Sequence, residues 1–396
     1  MPRGRMAAVA LLVATTCSAQ MMEQDLKRFA KAYMGYVPAE VVTLTENVVH
    51  TAPSGPYQTV RAERSTPMGE AKDQVGMLVD PLVSTAAAGL LFPLPPTDPP
   101  VTGASLPEFV QQTLPQALGS YLGNRVKISW PMSPFRPSGV LTLTAVVATG
   151  YGNVRMPIAI STDGKFLAIG GTWPINRDPR AVRREILEST DIQWDPGHEK
   201  AIVKVVEFSD FQCPACKRGW GAVGPLLVEA GESVRHGLVN FPLYNFHPWA
   251  FRAAVAGDCV GSIWPDRLVP LKQEFYRLQD TLTVESVDTA VFGFLSQQGL
   301  EEAKFRACFL RDPAIDAVLR QLELGYRLGV FGTPTYFAGG ESLPWGQAEW
   351  FAKRLQAIIA AKGLPEDAAE IIVKPATPTP GATAAPKPVA SPPAAK

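Results

Sequence analysis

The sequence carries no excess of charge of either sign. Lysine and arginine together number 37, as do aspartate and glutamate, so the formal charge at neutral pH is zero. That leaves no electrostatic footprint for nucleic acid, and none is expected among the partners. Histidine and cysteine are scarce, at four and five in 396 residues. His50, His198, His236 and His247 show no paired ligand spacing, which argues against a structural metal site. After the first twenty residues, no run is long and apolar enough to suggest a membrane-spanning helix. Ala, Pro and Thr dominate beyond about Asp367, and after Val373 the segment KPATPTPGATAAPKPVASPPAAK cannot bury a core. Residues 366–396 therefore read as an extended, disordered tail.

What is present begins with MPRGRMAAVALLVATTCSAQ. Arg3 and Arg5, an apolar stretch from Met6 to Thr16, and small residues up to Ala19 together predict a secretory leader over 1–19. The alternative is a lipid anchor on Cys17, although Thr16 is bulkier than such sites favour. Cleavage near Ala19 would leave Cys213, Cys216, Cys259 and Cys308, an even number that in an exported chain suggests two disulfides. The length calls for two or three domains, and the composition, 46% hydrophobic, is that of a folding chain.

Residues 20–179 contain an internal repeat. Tyr33-Met34-Gly35 recurs as Tyr121-Leu122-Gly123, Pro53-Ser54-Gly55 as Pro137-Ser138-Gly139, and Phe92-Pro93 as Trp173-Pro174. Each copy opens on an amphipathic helical stretch, followed by alternating segments such as VLTLTAVVAT (140–149). The expectation is two small α+β modules, 20–100 and 101–179, each a helix on an antiparallel sheet. Asp178-Pro179 then suits the start of a linker helix over 180–195. The C-terminal domain, 196–365, opens on the β-branched run AIVKVVEF and continues into VVEFSDFQCPACKRGW.

Cys213-Pro214-Ala215-Cys216 falls between a predicted strand and a predicted helix. At a helix start, free N–H groups and the dipole stabilise a thiolate, so Cys213 is the candidate nucleophile and Cys216 the resolving thiol. C-x-x-C is also a zinc half-site and a possible structural staple. A zinc site would need a second close pair, and Cys259 and Cys308 lie far apart in the chain.

EFSDFQCPAC, followed by FPLYNFHPWAFRAAVAGDC and GVFGTPTYF, resembles the DsbA-like branch of the thioredoxin superfamily over residues 195–362. The resemblance implies a thioredoxin α/β fold with a helical insertion, preceded here by the two α+β modules. It assigns Thr333-Pro334 as a cis-proline dipeptide that binds extended substrate. It makes Glu207 a buried acid serving Cys216, and burial would raise its pKa towards neutrality. It also implies a non-catalytic disulfide between Cys259 and Cys308 within the helical insert. His247 reads as a capping or packing residue. PIAISTDGKFLAIGGTWPINRDP is similar to the end of the dimerisation domain of the isomerases DsbC and DsbG. A homodimer through these modules is one expectation, although a second copy in the same chain can replace the partner.

The activity so implied is an exported, periplasmic thiol–disulfide oxidoreductase without cofactor. Its partners would be cysteine-containing exported proteins and a membrane redox partner that resets the dithiol. Thr333 and the N-terminal modules point to an isomerase or reductase. The alternatives are a dithiol oxidase and a chaperone-like binder whose dithiol is structural.

Overall fold

Leu26, Phe29, Ala30 and Tyr33 fall three and four apart and form the buried stripe of a helix over residues 23–34. The computed structural model that places them describes residues 23–35, 41–65, 73–123, 125–129 and 138–363. The expected leader with Cys17 and the expected tail lie outside the described residues.

After this helix come β1 (Val41–Ala52), β2 (Gly55–Ser65), β3 (Asp73–Asp80) and β4 (Thr85–Pro93), each antiparallel to the next. The second copy repeats the plan. A helical run of Leu106–Glu108, a π-turn at Phe109–Thr113 and Leu114–Leu122 ends at Gly123, whose φ of 67° suits glycine. It precedes β5 (Val126–Ser129), β6 (Val140–Ala148), β7 (Asn153–Ser161), β8 (Phe166–Ile169) and β9 (Thr172–Pro174). The repeat in sequence is thus a repeat of helix and antiparallel meander, with β8 and β9 of the second copy standing where the first has the single strand β4.

The two copies do not keep separate sheets. β4 pairs antiparallel with β8 and β9, joining the strands into one nine-stranded sheet. The pairing has local two-fold character. Exchanging each residue for its repeat counterpart turns the pair Ala86↔Trp173 into Phe92↔Leu167, and both pairs are present. Gly89 and Gly170 sit at the seam with φ of 154° and 146°. A Cβ on either would lie 2.2 or 2.1 Å from the opposite strand's carbonyl oxygen, so the close crossing needs glycine at both.

The linker helix Pro179–Glu188 starts where Asp178 accepts the Arg180 N–H at 2.8 Å. The C-terminal sheet follows, with β10 (Gln193–Trp194), β11 (Val203–Ser209), β12 (Val234–Asn240), β13 (Thr335–Ala338) and β14 (Glu341–Leu343). Its order is β10-β12-β11-β13-β14, so β11 is central; it runs parallel to β12 and antiparallel to β13. Between β12 and β13 the chain folds into five α-helices, Ala250–Ile263, Leu268–Leu278, Val287–Gln297, Glu302–Phe309 and Asp312–Leu328. Cys259 and Cys308 are joined across this insert.

The N-terminal sheet and the C-terminal domain share one apolar core, which runs from Phe29 and Met77 to Phe208, Val318 and Leu322. The helix Asp312–Leu328 lies over β7, where the Glu323 carboxylate accepts the Arg155 N–H at 3.0 Å. Nearby, Tyr151 stacks on Phe251 with ring centroids 3.9 Å apart. Phe331, just before the Thr333-Pro334 dipeptide, packs over Gly89 at the seam.

Candidate active site

β11 delivers Phe208, Ser209 and Asp210 to the C-terminal edge of the sheet, where a tight turn leads into the helix Pro214–Ala230. Cys213 is the N-cap of that helix, and Pro214 occupies its first turn, where no N–H is missed. The turn is held from three sides. The Cys213 N–H donates to the Asp210 carbonyl at 3.1 Å, and the Asp210 N–H points at Cys216 Sγ at 3.4 Å. Gln279 Nε2 donates to the Phe211 and Cys213 carbonyls at 3.0 and 3.1 Å.

The two thiols differ sharply. Cys213 is 6% exposed and Cys216 fully buried, both unpaired and packed beside Tyr276. Hydrogen bonding from the Cys216 thiol draws the Cys213 pKa down to about 5 against the effect of burial; Thr333 and the Ala215 and Cys216 amides add to it. Burial, and then the neighbouring Cys213, push the Cys216 thiol well up. The alkylation rate of reduced Cys213 should therefore stay high down to about pH 5 and fall only below it. A rate against pH curve with its midpoint near the ordinary value of 9 would contradict this.

The Thr333–Pro334 peptide is cis, and the Thr333 carbonyl faces Cys213 Sγ at 3.5 Å. Gly219, one turn beyond Cys216, lets the helix approach: a Cβ there would lie 2.8 Å from Pro334 Cγ.

Glu207 departs from expectation in its charge. It is fully buried on β11, and burial alone would raise its pKa, as the sequence suggested. Lys272 Nζ at 2.5 Å and His236 Nε2 at 3.1 Å more than offset that and hold it down to about 2. The carboxylate is therefore ionised throughout the physiological range, and its hydrogen bonds go to these two cations and to neither cysteine among the described residues. Lys272 comes from the helical insert, one turn before Tyr276; burial lowers its pKa, and a charge on Cys216 would raise it.

His247 does more than pack. Its Nδ1 lies 2.6 Å from Asp210 Oδ2, a buried carboxylate that also accepts the Leu243 N–H. That hydrogen bond raises the His247 pKa against the effect of burial, with a further contribution from the charge of Cys213.

Residues 190–360 match a family model described as thioredoxin. The order of strands, the helical insert between β12 and β13, and the dithiol at the start of its helix agree with that match. Over these residues the chain is similar to thioredoxin. Curated relatives include the Na(+)/H(+) antiporter NhaA of Herminiimonas arsenicoxydans, 28% identical over 165 residues, or 42% of this chain and 25% of that protein. NhaA 3 of Salinispora tropica is 28% identical over 231 residues, 51% of this chain and 33% of that protein. The chain thus spans a quarter to a third of the length of these relatives. Among the described residues no helix is long and apolar enough to cross a membrane.

Among solved structures, alpha-DsbA1 of Wolbachia pipientis is 15% identical with a TM-score of 0.39, covering 46% of this chain and 97% of that one. BdbD of Bacillus subtilis is 16% identical with a TM-score of 0.38, covering 43% and 93%. A periplasmic thioredoxin-like protein of Salmonella enterica serovar Typhimurium is 19% identical with a TM-score of 0.36, covering 44% and 97%.

Sequence reasoning placed Cys213, Cys216, Thr333, Pro334 and Glu207 in one site, and the thioredoxin domain brings them to neighbouring positions. It missed Lys272, Gln279 and Asp210, and it set His236 aside as an isolated histidine. Only Asp210 carried a local signal, as the polar residue that closes the strand three places before Cys213.

Proposed function

We propose that the chain is an exported thiol–disulfide oxidoreductase acting on cysteines of other exported proteins. The observation that carries this reading is the contrast within the dithiol. A thiolate available at neutral pH sits at the helix start, and a fully buried partner thiol sits one turn away. Cys213 Sγ attacks a substrate disulfide and a mixed disulfide forms. Cys216 Sγ then attacks Cys213 Sγ, closing the 213–216 disulfide and releasing the substrate thiolate. Thr333 and Pro334 would hold the extended substrate chain against this edge.

The direction we assign is isomerase or reductase. A stabilised thiolate favours the reduced dithiol, which is the form that must meet a misformed disulfide, and a membrane partner would keep it reduced. The same stabilisation favours an oxidase that passes its disulfide on, so the resting redox state in the cell divides the two. The expected homodimer is not part of this reading. The β4 edge already pairs within the chain, and one chain supplies both modules.

Cys216→Ser should accumulate mixed disulfides between Cys213 and exported proteins, visible on non-reducing gels and lost with Cys213→Ser. Absence of trapped species in an oxidising compartment would sink the redox reading and leave a binding protein with an idle dithiol. A dithiol found mostly oxidised in cells would reverse the direction to oxidase.

A further inference from the structure

Behind the dithiol, the buried charges continue past Glu207. Glu207 Oε2 is shared by Lys272 Nζ at 2.5 Å and His236 Nε2 at 3.1 Å. The other ring nitrogen of His236, Nδ1, lies 2.9 Å from Asp195 Oδ2. His236 is 5% exposed in its side chain, whereas Asp195 is 29% exposed. The line from Lys272 to Asp195 therefore runs from a fully enclosed amine to solvent in three contacts, each at hydrogen-bond distance. It emerges in a cavity of about 690 Å³ lined by Asp195, Trp220, His236, Val269 and Gln273 among others. Neither cysteine nor Thr333 lines that cavity.

Nothing about packing requires this arrangement. A buried ion pair costs desolvation, and adding a second cation and a second carboxylate raises that cost unless every member is held. Trp220 flanks the line, with Lys272 Nζ 3.7 Å from its ring centroid and the His236 ring 5.4 Å away. Among the described residues Glu207 Oε1 is buried and has no hydrogen-bond partner, so the carboxylate keeps one oxygen free to accept. The charged and titratable groups around the line include Asp195, Glu207, Lys272, Cys216, Tyr276 and Tyr336, with His198 and Arg235 at the cavity wall.

We propose that His236 and Asp195 form a proton conduit linking the Glu207–Lys272 pair beneath Cys216 to solvent on the cavity side, away from bound substrate. This rests on the redox reading and adds to it the route of the proton. When Cys216 resolves the mixed disulfide, its S–H proton leaves to the Lys272–Glu207 pair. The Cys216–Cys213 bond forms, the bond from Cys213 to substrate breaks, and the departing substrate thiolate takes a proton from solvent. The dithiol loses two electrons and the substrate disulfide gains them. The charged His236 ring yields its Nδ1 proton to Asp195 and solvent, and the loss of that positive charge lets the free Glu207 oxygen, Oε1, take up the proton that Cys216 releases, so one proton leaves for each one taken in. Asp195 holds the imidazole charged to a pKa of about 9 despite its burial, which keeps a proton on the line at neutral pH. With substrate covering Cys213, a second exit lets the buried thiol ionise without passing its proton through the complex.

The test follows oxidation of the reduced protein by oxidised glutathione in stopped flow. It separates the concentration-dependent attack by Cys213 from the concentration-independent closure by Cys216. His236→Gln should slow closure about tenfold or more and leave the attack unchanged. Asp195→Asn, nearer the surface, should slow closure in the same direction and serves if His236→Gln does not fold. Closure in His236→Ala should recover with imidazole and not with pyrazole, a ring of the same shape and far weaker basicity. Wild-type closure rates in both single variants, or equal rescue by pyrazole, would overturn the conduit. If the wild-type protein fails to react with glutathione at all, the redox reading itself falls.

Discussion

Lys272→Met is expected to destabilise the protein by about 3–5 kcal/mol, because it leaves the buried Glu207 carboxylate short of its nearest cation. The loss should depend on pH in a defined sense. In the wild-type protein Glu207 is held at about 2, below its ordinary 4.5. Its contribution to stability is therefore complete above pH 4.5 and is lost as pH falls towards 2. Without Lys272, burial dominates and the Glu207 pKa rises, so the acid limb of the stability curve should move to higher pH. His236 acts at the other end. Raised from 6.5 to about 9, it contributes fully below pH 6.5 and loses that contribution as pH climbs through 9. The double variant Glu207→Leu, Lys272→Met should recover most of the loss, since removing both charges also removes their desolvation cost. Urea unfolding at several pH values measures all three. A single variant within about 1 kcal/mol of wild type, with the acid limb unmoved, would show that the pair is far more hydrated than its burial indicates.

Arg183→Ala should cost about as much, roughly 3–5 kcal/mol, for a different reason. Arg183 is 1% exposed on the linker helix and forms no salt bridge among the described residues. Its guanidinium donates to the Gly340 carbonyl at 2.9 Å and the Tyr33 carbonyl at 3.1 Å. The rings of Phe337, Tyr33 and Trp173 surround it at 4.5, 5.4 and 5.5 Å from their centroids. Tyr33 and Trp173 belong to the N-terminal modules, and Phe337 and Gly340 to the thioredoxin domain. One side chain thus ties three parts of the chain together, and truncating it opens a cavity where they meet. The expected result is a split of the unfolding transition, with the thioredoxin domain surviving after the N-terminal sheet has been lost. A single transition at wild-type stability would place the coupling elsewhere.

Whereas Glu207 and the distant Thr333-Pro334 dipeptide were assigned only through the resemblance to a known family, the dithiol was legible because a strand, a turn and a helix start fall within ten residues or so of it. Lys272 and His236 were not, since they stand 65 and 29 residues from the carboxylate they meet. That gap explains the wrong sign expected for Glu207. A β-branched strand announces burial, and burial alone raises a carboxylate's pKa; the cations that reverse it arrive through tertiary structure. The N-terminal modules show the same boundary. Their helices and strands could be read from alternation and the repeat, but the joining of β4 to β8 and β9 depends on two edges finding a common register, which no local pattern encodes.

The seam between the modules also changes what substitution can do there. Across a two-fold axis between separate subunits, every replacement appears twice, and a residue must suit both places at once. Here the two halves are spelled independently in one chain. Gly89 lies under Phe331, two residues before the Thr333-Pro334 dipeptide, while the nearest atoms to a Cβ at Gly170 belong to the opposite strand. One half is free to specialise towards the dithiol of the C-terminal domain as the other keeps the sheet closed.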